Sequence, residues 1–207
     1  MSKRSGSSGR WLQEHERDEF VQRARREGRV ARSAYKLIDI DKRDRLLRAG
    51  RKVVDLGAAP GGWSAYAAER VGEQGHVIAL DRLEMDAIAG VEIIEGDFTD
   101  DAVASALQER TQSGVDLVMS DMAPNFSGTR AIDQPRAMEL AELALYFAQG
   151  ALREHGDFLV KVFQGEGFDQ FLRLMRARFK RVVSRKPDAS RSRSRELYLV
   201  GREFRQP

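Results

Sequence analysis

Cysteine is absent from the 207-residue sequence, which excludes disulfide bonds and thiolate metal sites. No apolar run approaches the roughly eighteen residues that a membrane-spanning helix needs. The first ten residues are mostly serine, glycine and basic residues, without the apolar segment of a secretory signal. These absences make the cytoplasm the expected location and leave the chemistry of the chain to its charged residues and glycines.

The net charge of +3 hides an uneven distribution of charge along the chain. Residues 1–35 carry a net charge of +4, residues 36–172 carry −10, and residues 173–207 carry +9. An acidic body with basic ends fits a polyanionic partner such as nucleic acid, and it equally fits a chain kept soluble by its termini. Composition alone leaves both interpretations open.

Short apolar segments alternate with helical patterns through most of the chain. Strands are predicted at residues 52–56, 76–80, 91–94, 115–120, 156–163, 179–184 and 196–201. Helices are predicted at residues 11–29, 33–48, 62–71, 100–111, 134–153 and 168–178. This alternation predicts one α/β domain over residues 31–207, with a mostly parallel seven-stranded sheet and helices on both faces. No helix precedes the last strand, which is therefore expected to be antiparallel, and residues 1–30 are expected to form a basic, partly flexible arm.

One glycine-rich turn stands out, Val-Val-Asp-Leu-Gly-Ala-Ala-Pro-Gly-Gly-Trp-Ser over residues 53–64. A strand, a glycine turn and a helix in this order build the nucleoside-cofactor pocket of an open α/β sheet. The dinucleotide fingerprint G-x-G-x-x-G needs a glycine where Ala59 stands, so the spacing disfavours a nicotinamide cofactor. The turn favours S-adenosylmethionine, and Gly57, Gly61 and Gly62 are expected to let the backbone approach it closely.

Acidic residues fall at the ends of four predicted strands, where open α/β sheets bind their ligands. They are Asp55, Asp81, Asp97 and Asp121. Asp81 is expected to accept hydrogen bonds from the two ribose hydroxyls, and Asp97 from the adenine amino group. Trp63 opens the next helix, either beside the cofactor or as a core aromatic residue. The four acids together predict the cofactor site.

Three charged residues interrupt apolar or helical patterns. Lys161 lies within the apolar strand 158–163, where burying a lysine is unfavourable unless it is paired or functional. Lys36 lies in the helix before the sheet, and Glu196 begins the last strand. Taken singly, Lys36 and Glu196 fit surface positions, and Lys161 fits a lysine that extends its ammonium group to solvent.

The cofactor turn and these charged residues together resemble the RrmJ-type (FtsJ-type) ribosomal RNA 2′-O-ribose methyltransferases, over about residues 28–202. That family pairs an Asp-x-Gly-x-x-Pro-Gly-Gly turn with a Lys-Asp-Lys-Glu tetrad. The tetrad matches Lys36, Asp121, Lys161 and Glu196. The resemblance implies a Rossmann-like S-adenosylmethionine-dependent methyltransferase fold, and methyl transfer to a ribose 2′-hydroxyl of RNA.

The resemblance also implies a substrate and a role for each member of the tetrad. The compact chain is most similar to the ribosomal members, which implies a uridine of large-subunit (23S) ribosomal RNA and a role in ribosome biogenesis; transfer RNA is the alternative. Lys161 is expected to meet the hydroxyl, either as a neutral base or as a charged group that steers the oxygen. Asp121 is expected to hold Lys161, Lys36 to assist by orientation, and Glu196 to matter least.

Basic residues precede Lys36 and Glu196 in the sequence and are predicted to contact RNA. These residues are Arg29, Arg32, Lys186, Arg191, Arg193 and Arg195. Arginine donors on phosphates position a strand without reading its bases, so RNA affinity is expected to fall steeply with salt. Ribosomal RNA, within the large subunit, is the expected partner of a monomeric chain.

Three functions of other classes compete with this interpretation. A nicotinamide-dependent oxidoreductase shares the sheet but lacks the glycine spacing and a hydride-transfer set. A base amino-group methyltransferase would use the segment 121–124 but leaves Lys161 and Glu196 without a task. An RNA chaperone that binds the cofactor without turnover is disfavoured by the complete tetrad.

Overall fold

The computed structural model describes residues 18–190 and 194–206, and a seven-stranded sheet organises them. The strands are β1 (Lys52–Leu56), β2 (His76–Asp81), β3 (Val91–Glu95), β4 (Val115–Ser120), β5 (Leu152–Phe163), β6 (Phe179–Arg185) and β7 (Glu196–Phe204). The helices of this part of the chain are α1 (Glu19–Arg26), α2 (Ala34–Asp44), α3 (Gly62–Val71), α4 (Asp101–Thr111), α5 (Arg130–Ala151) and α6 (Phe168–Arg178). None of these helices is both long and apolar enough to cross a membrane.

The strands are arranged in the order β3-β2-β1-β4-β5-β7-β6. Strands β1 to β5 pair in parallel, whereas β7 is antiparallel to both β5 and β6. The mostly parallel sheet and its antiparallel last strand are therefore confirmed. The order reverses between β1 and β4, so the carboxyl ends of these two strands flank the crevice where such sheets bind ligands.

The sheet separates two apolar layers, because its central strands bury side chains on both faces. On one face Val54, Phe158 and Val160 pack beneath α5 and α6. On the other face Leu159 and Tyr198 pack against side chains of α2 and α3. The near-continuous apolar strands in the sequence follow directly from this two-sided burial.

Most element boundaries lie within about three residues of the predicted ones, three of the larger differences concern α2, α5 and β5, and polar contacts explain two of these three. Helix α2 ends at Asp44 instead of near Arg48, because Arg45 turns left-handed (φ 52°) and the Asp41 carboxylate accepts the Leu47 N–H at 2.8 Å. Helix α5 begins at Arg130, since Asp133 accepts backbone N–H bonds from the loop before it. Strand β5 begins at Leu152, before a register shift against β4. Hydrophobic periodicity carries no information on these contacts.

A buried carboxylate ties the amino-terminal edge of the sheet together. Asp157 is 1% exposed and lies in β5 beside two arginines. Its oxygens lie 2.8 Å from Arg51 Nη1 and 3.1 Å from Arg202 Nε. The cluster therefore links the segment before β1 to β5 and β7, at the end of the sheet opposite the ligand crevice.

Replacing Asp157 by alanine leaves two guanidinium groups without their shared counter-charge. We expect D157A to lower the free energy of unfolding by about 3–5 kcal/mol, the range for removing one partner of a buried ion pair. Denaturant unfolding of D157A beside E154A, an exposed acid of the same strand, checks this. A loss for D157A no larger than that for E154A would show that the cluster is not stabilising.

Candidate active site

A cavity of about 510 Å³ opens at the carboxyl ends of β1 to β4, where the strand order reverses. Its lining includes Gly57 after β1, Asp81 at the end of β2, Asp97 after β3 and Asp121 after β4. Four sequence-predicted cofactor residues from four separate strand ends are thus brought to one cavity. Three of them are carboxylates, which gives the cavity an acidic wall.

Asp81 joins two of the loops that form this cavity. Its Oδ2 accepts the Ala59 N–H at 2.9 Å, and its Oδ1 accepts the Leu83 N–H at 2.9 Å. Each carboxylate oxygen can accept a further hydrogen bond, which leaves capacity for two ligand hydroxyls. The structure therefore fixes the orientation of Asp81 without using up its acceptors.

Asp97 is held by the residue two positions later in the chain. Its Oδ1 accepts from the Thr99 N–H at 2.9 Å and from the Thr99 hydroxyl at 2.7 Å. These bonds lower the pKa of the Asp97 carboxyl, the backbone bond most strongly. An ionised carboxylate at this point can accept a hydrogen bond from an amino group in the cavity.

The glycines of the turn are needed for packing of the protein itself. A Cβ on Gly57 (φ +77°) would lie 2.6 Å from Met122 Cγ, and one on Gly61 (φ +102°) would lie 2.4 Å from Ile88 Cδ1. A Cβ on Gly62 would lie 3.1 Å from the Ser33 hydroxyl oxygen. A side chain at any of the three positions would therefore crowd a neighbouring residue of the protein, and the close approach of the cofactor to these glycines stays a prediction.

Two predicted cofactor residues have side chains in the core and not along the cavity. Trp63 is 2% exposed, donates its indole N–H to the Ser33 carbonyl at 2.9 Å, and packs 5.7 Å from the ring of Tyr198. Asp55 is 1% exposed and accepts the Ser64 hydroxyl at 2.6 Å. The sequence left two interpretations open for Trp63, and the structure shows that its side chain is a core aromatic residue.

Asp55 is the most perturbed carboxyl group of the site. Burial, against the opposing Ser64 hydrogen bond and with the help of the neighbouring Asp121 and Asp81, raises its pKa to about 7. Its Oδ1 has no hydrogen-bond partner within the described residues. Asp55 therefore takes up a proton near neutral pH.

Register alone makes Lys161 and Asp121 neighbours. Ser120 of β4 pairs with Val160 of β5, so the next residue of each strand lies side by side. Lys161 is 8% exposed, and its Nζ lies 3.1 Å from Asp121 Oδ1 and also donates to the Asp121 carbonyl. The Lys161 amine, which the sequence places in an apolar strand, is thus paired with the Asp121 carboxylate at the edge of the cavity.

The other two tetrad residues form a second ion pair. Lys36 Nζ lies 2.7 Å from Glu196 Oε1, and that oxygen also accepts the Ser190 hydroxyl at 2.9 Å. Lys36 extends from α2, and Glu196 begins β7. The tetrad is therefore two pairs, Lys161 with Asp121 and Lys36 with Glu196.

Tyr198 connects the two pairs, and sequence reasoning missed it. Its hydroxyl donates to Asp121 Oδ1 at 2.8 Å, while Lys36 Nζ lies 5.6 Å from the centre of its ring. Burial raises the Tyr198 pKa well above its ordinary value, and Asp121 and Glu196 raise it further, so the hydroxyl keeps its proton. The available signal was position: Tyr198 follows Glu196 by two residues and shares its face of β7.

The surrounding charges keep Asp121 ionised. Burial by itself would raise its pKa, but Lys161, Lys36 and the Tyr198 hydrogen bond together bring the pKa below its usual value. An ionised Asp121 fixes the Lys161 amine by charge and by two acceptor atoms. This arrangement can hold an amine against a substrate hydroxyl at the cavity edge.

Comparison with known proteins identifies the family. A family model described as FtsJ-like methyltransferase matches residues 29–204, which is most of the chain. The chain belongs to the FtsJ-like methyltransferases. The proteins named ribosomal RNA large subunit methyltransferase E from Hahella chejuensis and Alkalilimnicola ehrlichii are each 56% identical to it over 203 residues, covering 98% of the chain and 98% and 97% of those proteins. The protein of the same name from Cellvibrio japonicus is 54% identical, covering 97% of this chain and 96% of its own.

Two solved structures of other proteins have the same fold. A chain described as a ribosomal RNA methyltransferase from Plasmodium falciparum superposes with a TM-score of 0.77 at 28% identity, covering 86% of this chain and 99% of its own. A chain described as an rRNA methylase from Clostridium thermocellum superposes with a TM-score of 0.53 at 20% identity, covering 83% and 96%. The second likeness concerns the fold alone.

As an FtsJ-like methyltransferase, this chain uses S-adenosylmethionine, and its acidic cavity fits that cofactor. The cofactor carries two positive charges, an adenine amine and a ribose diol, and the cavity offers carboxylates to each kind of group. Asp81 would hold the ribose hydroxyls, Asp97 the adenine amine, and Asp121 faces both the cavity and Lys161. When bound, the cofactor supplies a methyl group attached to a leaving sulfonium.

The basic residues predicted to contact RNA are mostly engaged within the FtsJ-like fold. Arg29 pairs with Glu69 at 2.7 Å, Arg32 donates to the Ala189 carbonyl at 2.6 Å, and Lys186 donates to the carbonyls of Ser194 and Glu196. Arg195 is exposed. Arg191 and Arg193 lie outside the described residues.

The raised pKa of Asp55 predicts a pH-dependent stability. Below the unfolded-state pKa, near the ordinary 3.8, Asp55 is protonated in both the folded and the unfolded state. Between this pKa and the folded-state pKa of about 7, the folded protein keeps the proton that the unfolded chain releases, so the free energy of unfolding falls as the pH rises. Above pH 7 both states release the proton and the loss is complete. Between pH 5 and pH 8 the wild-type chain should therefore lose about 2–3 kcal/mol of unfolding free energy relative to D55N.

Denaturant unfolding of both proteins at pH 5, 6, 7 and 8 measures this difference, and E142Q, an exposed carboxylate-to-amide change, serves as the control. Parallel pH profiles for D55N and wild type would show that Asp55 does not bind a proton near pH 7.

Proposed function

We propose that this chain transfers a methyl group from S-adenosylmethionine to the ribose 2′-hydroxyl of a uridine in large-subunit (23S) ribosomal RNA. The observation that carries the proposal is the buried Lys161 amine, held by Asp121 at the edge of the cofactor cavity. A hydroxyl attacking a methyl group needs its proton directed away and its oxygen aligned, and a fixed amine provides for both. The names of the relatives supply the ribosomal RNA and favour it over transfer RNA.

The remaining tetrad residues support the same chemistry. Asp121 positions the Lys161 amine through two acceptor atoms, and Tyr198 holds Asp121 from the other side. Lys36 and Glu196 form an ion pair next to Asp121. Lys36 is thus a second cation close to Asp121, and its own charge is balanced by Glu196. Neither the oxidoreductase nor the base methyltransferase interpretation gives these two pairs a task.

The proposal also covers location and partners. We place the reaction in the cytoplasm, during ribosome biogenesis, with the large ribosomal subunit as the physiological substrate and a monomeric enzyme. The ribosomal RNA substrate is supported by the names of the relatives.

Replacing Lys161 by methionine removes the amine while keeping a side chain of similar length. We expect K161M to lower kcat by about 100- to 10,000-fold, the usual range for a positioned acid–base group, with an unchanged Kd for S-adenosylmethionine. K180M, a change of an exposed lysine on β6, is the control and should retain activity. Turnover of folded K161M near the wild-type rate would remove Lys161 from the mechanism.

The variant K161R separates the two roles that the sequence leaves open for Lys161. Arginine keeps the positive charge but does not act as a base at neutral pH. A kcat as low as that of K161M indicates that the amine accepts the proton. A kcat well above that of K161M indicates that a cation steers the hydroxyl oxygen.

The contact between Lys36 and Glu196 predicts non-additive effects. Each single change, K36M or E196Q, breaks the same ion pair, so the double variant should lose no more activity than the worse single variant. Steady-state kinetics on the four proteins of this cycle measure the coupling. Additive losses in the logarithm of kcat would show that Glu196 and Lys36 act separately.

Methyl transfer from labelled S-adenosylmethionine tests the reaction itself. Large ribosomal subunits, free ribosomal RNA and bulk transfer RNA are each incubated with the enzyme, and the nucleosides are then analysed. Label in 2′-O-methyluridine of large-subunit RNA is the expected result. Label on a base, or in transfer RNA only, would contradict the proposed chemistry or the proposed substrate respectively.

A further inference from the structure

A second, smaller cavity adjoins the tetrad on the side away from the cofactor loops of β2 and β3. Its volume is about 180 Å³, and we call it the Phe126 cavity. It lies between the loop after β4, the first turns of α5, the end of β5 and the start of β7. It is lined by Phe126, Gly128, Arg130, Asp133, Gln134, Ala137, Phe163 and Arg195.

The aromatic wall of the Phe126 cavity has a solvent-facing ring. Phe126 is 56% exposed, and its ring meets that of Phe163 edge to face, with centroids 5.5 Å apart and planes at 78°. This geometry orients the Phe126 ring without covering it. A phenylalanine held in this way presents a surface on which a planar group can stack.

Two arginines that line the Phe126 cavity have no side-chain partner within the described residues. Arg130 and Arg195 are exposed, and neither side chain makes a hydrogen bond or ion pair within residues 18–190 and 194–206. They differ in this from Arg29, Arg32 and Lys186, whose side chains are used inside the fold. Exposed guanidinium groups with free donors are suited to phosphate oxygens.

The floor of the Phe126 cavity is rigid and polar. Asp133 accepts three hydrogen bonds, from the Ser127 N–H, the Ser127 hydroxyl and the Gly128 N–H, at 2.8–3.0 Å. The Gln134 amide donates to the carbonyls of Phe163 and Glu166 at 3.1 Å and 3.0 Å. The loop that carries Phe126 is thereby fixed to α5, and α5 to the end of β5.

The Phe126 cavity lies one nucleotide step from the tetrad. Phe163 is two residues beyond Lys161 in β5, roughly 6–7 Å along the strand, and it pairs in register with Glu196. Arg195 directly precedes Glu196, and Phe126 follows Asp121 on the same loop. An RNA strand whose ribose reaches Lys161 therefore brings a neighbouring nucleotide to the Phe126 cavity.

We propose that the Phe126 cavity is a nucleotide subsite, in which the base adjacent to the methylated nucleotide stacks on Phe126 while flanking phosphates contact Arg130 and Arg195. The inference rests on the proposed RNA methylation. Single-stranded RNA is commonly bound with unstacked bases on aromatic side chains and phosphates on arginines. Stacking one neighbour would hold the strand extended and keep the target ribose at Lys161.

Kinetics of Phe126 variants on large ribosomal subunits that lack the methyl group test this subsite. F126A and F126L should raise the KM for the subunits by roughly 5- to 100-fold, the effect of losing one base–aromatic stack. F126W should restore the wild-type KM, because it keeps a stacking surface. The Kd for S-adenosylmethionine and the thermal unfolding midpoint should stay unchanged in all three variants.

Binding of a labelled single-stranded RNA oligonucleotide tests the two arginines. Between 50 and 200 mM salt, the slope of log K against log salt should be smaller for R130Q and R195Q by roughly 0.7 each, one phosphate contact on a single strand. R176Q, a change of an exposed arginine in the last turn of α6, which does not line the Phe126 cavity, should keep the wild-type slope.

The outcomes separate the subsite from the proposed function. An active wild-type enzyme with a wild-type KM for F126A overturns the subsite and leaves the function standing. If F126A raised the KM for subunits but bound the RNA oligonucleotide as tightly as the wild type, Phe126 would not stack on a base of the RNA, and this also overturns the subsite. An inactive wild-type enzyme counts against the proposed function, whereas the oligonucleotide measurements still decide the RNA contacts.

Discussion

A lysine amine buried in an apolar strand must find a counter-charge, and the pairing of β4 with β5 provides one. Because Ser120 lies opposite Val160, Asp121 and Lys161 emerge together at the carboxyl edge of the sheet. A one-residue slip in this register would turn one of the two to the opposite face and leave each charge alone. The reactive end of the fold therefore depends on a backbone register that is itself set by apolar packing on both faces.

Electrostatics at this edge are a balance between carboxylates and lysines. Asp121 has two lysines nearby and stays ionised, whereas Asp55, deeper and beside only a hydroxyl and other acids, has its pKa raised to about 7. Below about pH 7, one aspartate of the site is therefore ionised while another is protonated, because only Asp121 has cations beside it to offset its burial. The sulfonium and ammonium groups of the cofactor, placed against this acidic wall, would favour the ionised state of the carboxylates that face them.

Sequence patterns predicted the sheet and the acids of the cavity, because both depend on chain order, whereas the tetrad was implied by the resemblance to the FtsJ-type methyltransferases. Strand ends converge in a parallel sheet, so Asp81, Asp97 and Asp121 could be placed together before the structure was known. The contact between Asp121 and Lys161 was expected, but the pairing of Lys36 with Glu196 could not be predicted, since it is decided by how far Lys36 of α2 reaches over the sheet. The same holds for Arg29 and Arg32, two of the residues predicted to contact RNA, whose partners inside the fold lie far away in sequence. Phe126 carried no pattern at all, because an exposed aromatic residue in a loop has no period to reveal it.

The segment around α1 is connected to the tetrad by contacts through the linker between β6 and β7. Arg32 bonds both Asp18 and the carbonyl of Ala189, and Ala189 packs in a small cluster with Ala24 of α1 and Tyr35 of α2. The next residue, Ser190, donates to Glu196, the partner of Lys36. The segment around α1 is thus coupled to the active site by contacts of a few ångströms each. Helix α1 and the tetrad are therefore joined by one chain of contacts through this linker, from Arg32 to Ala189 and from Ser190 to Glu196.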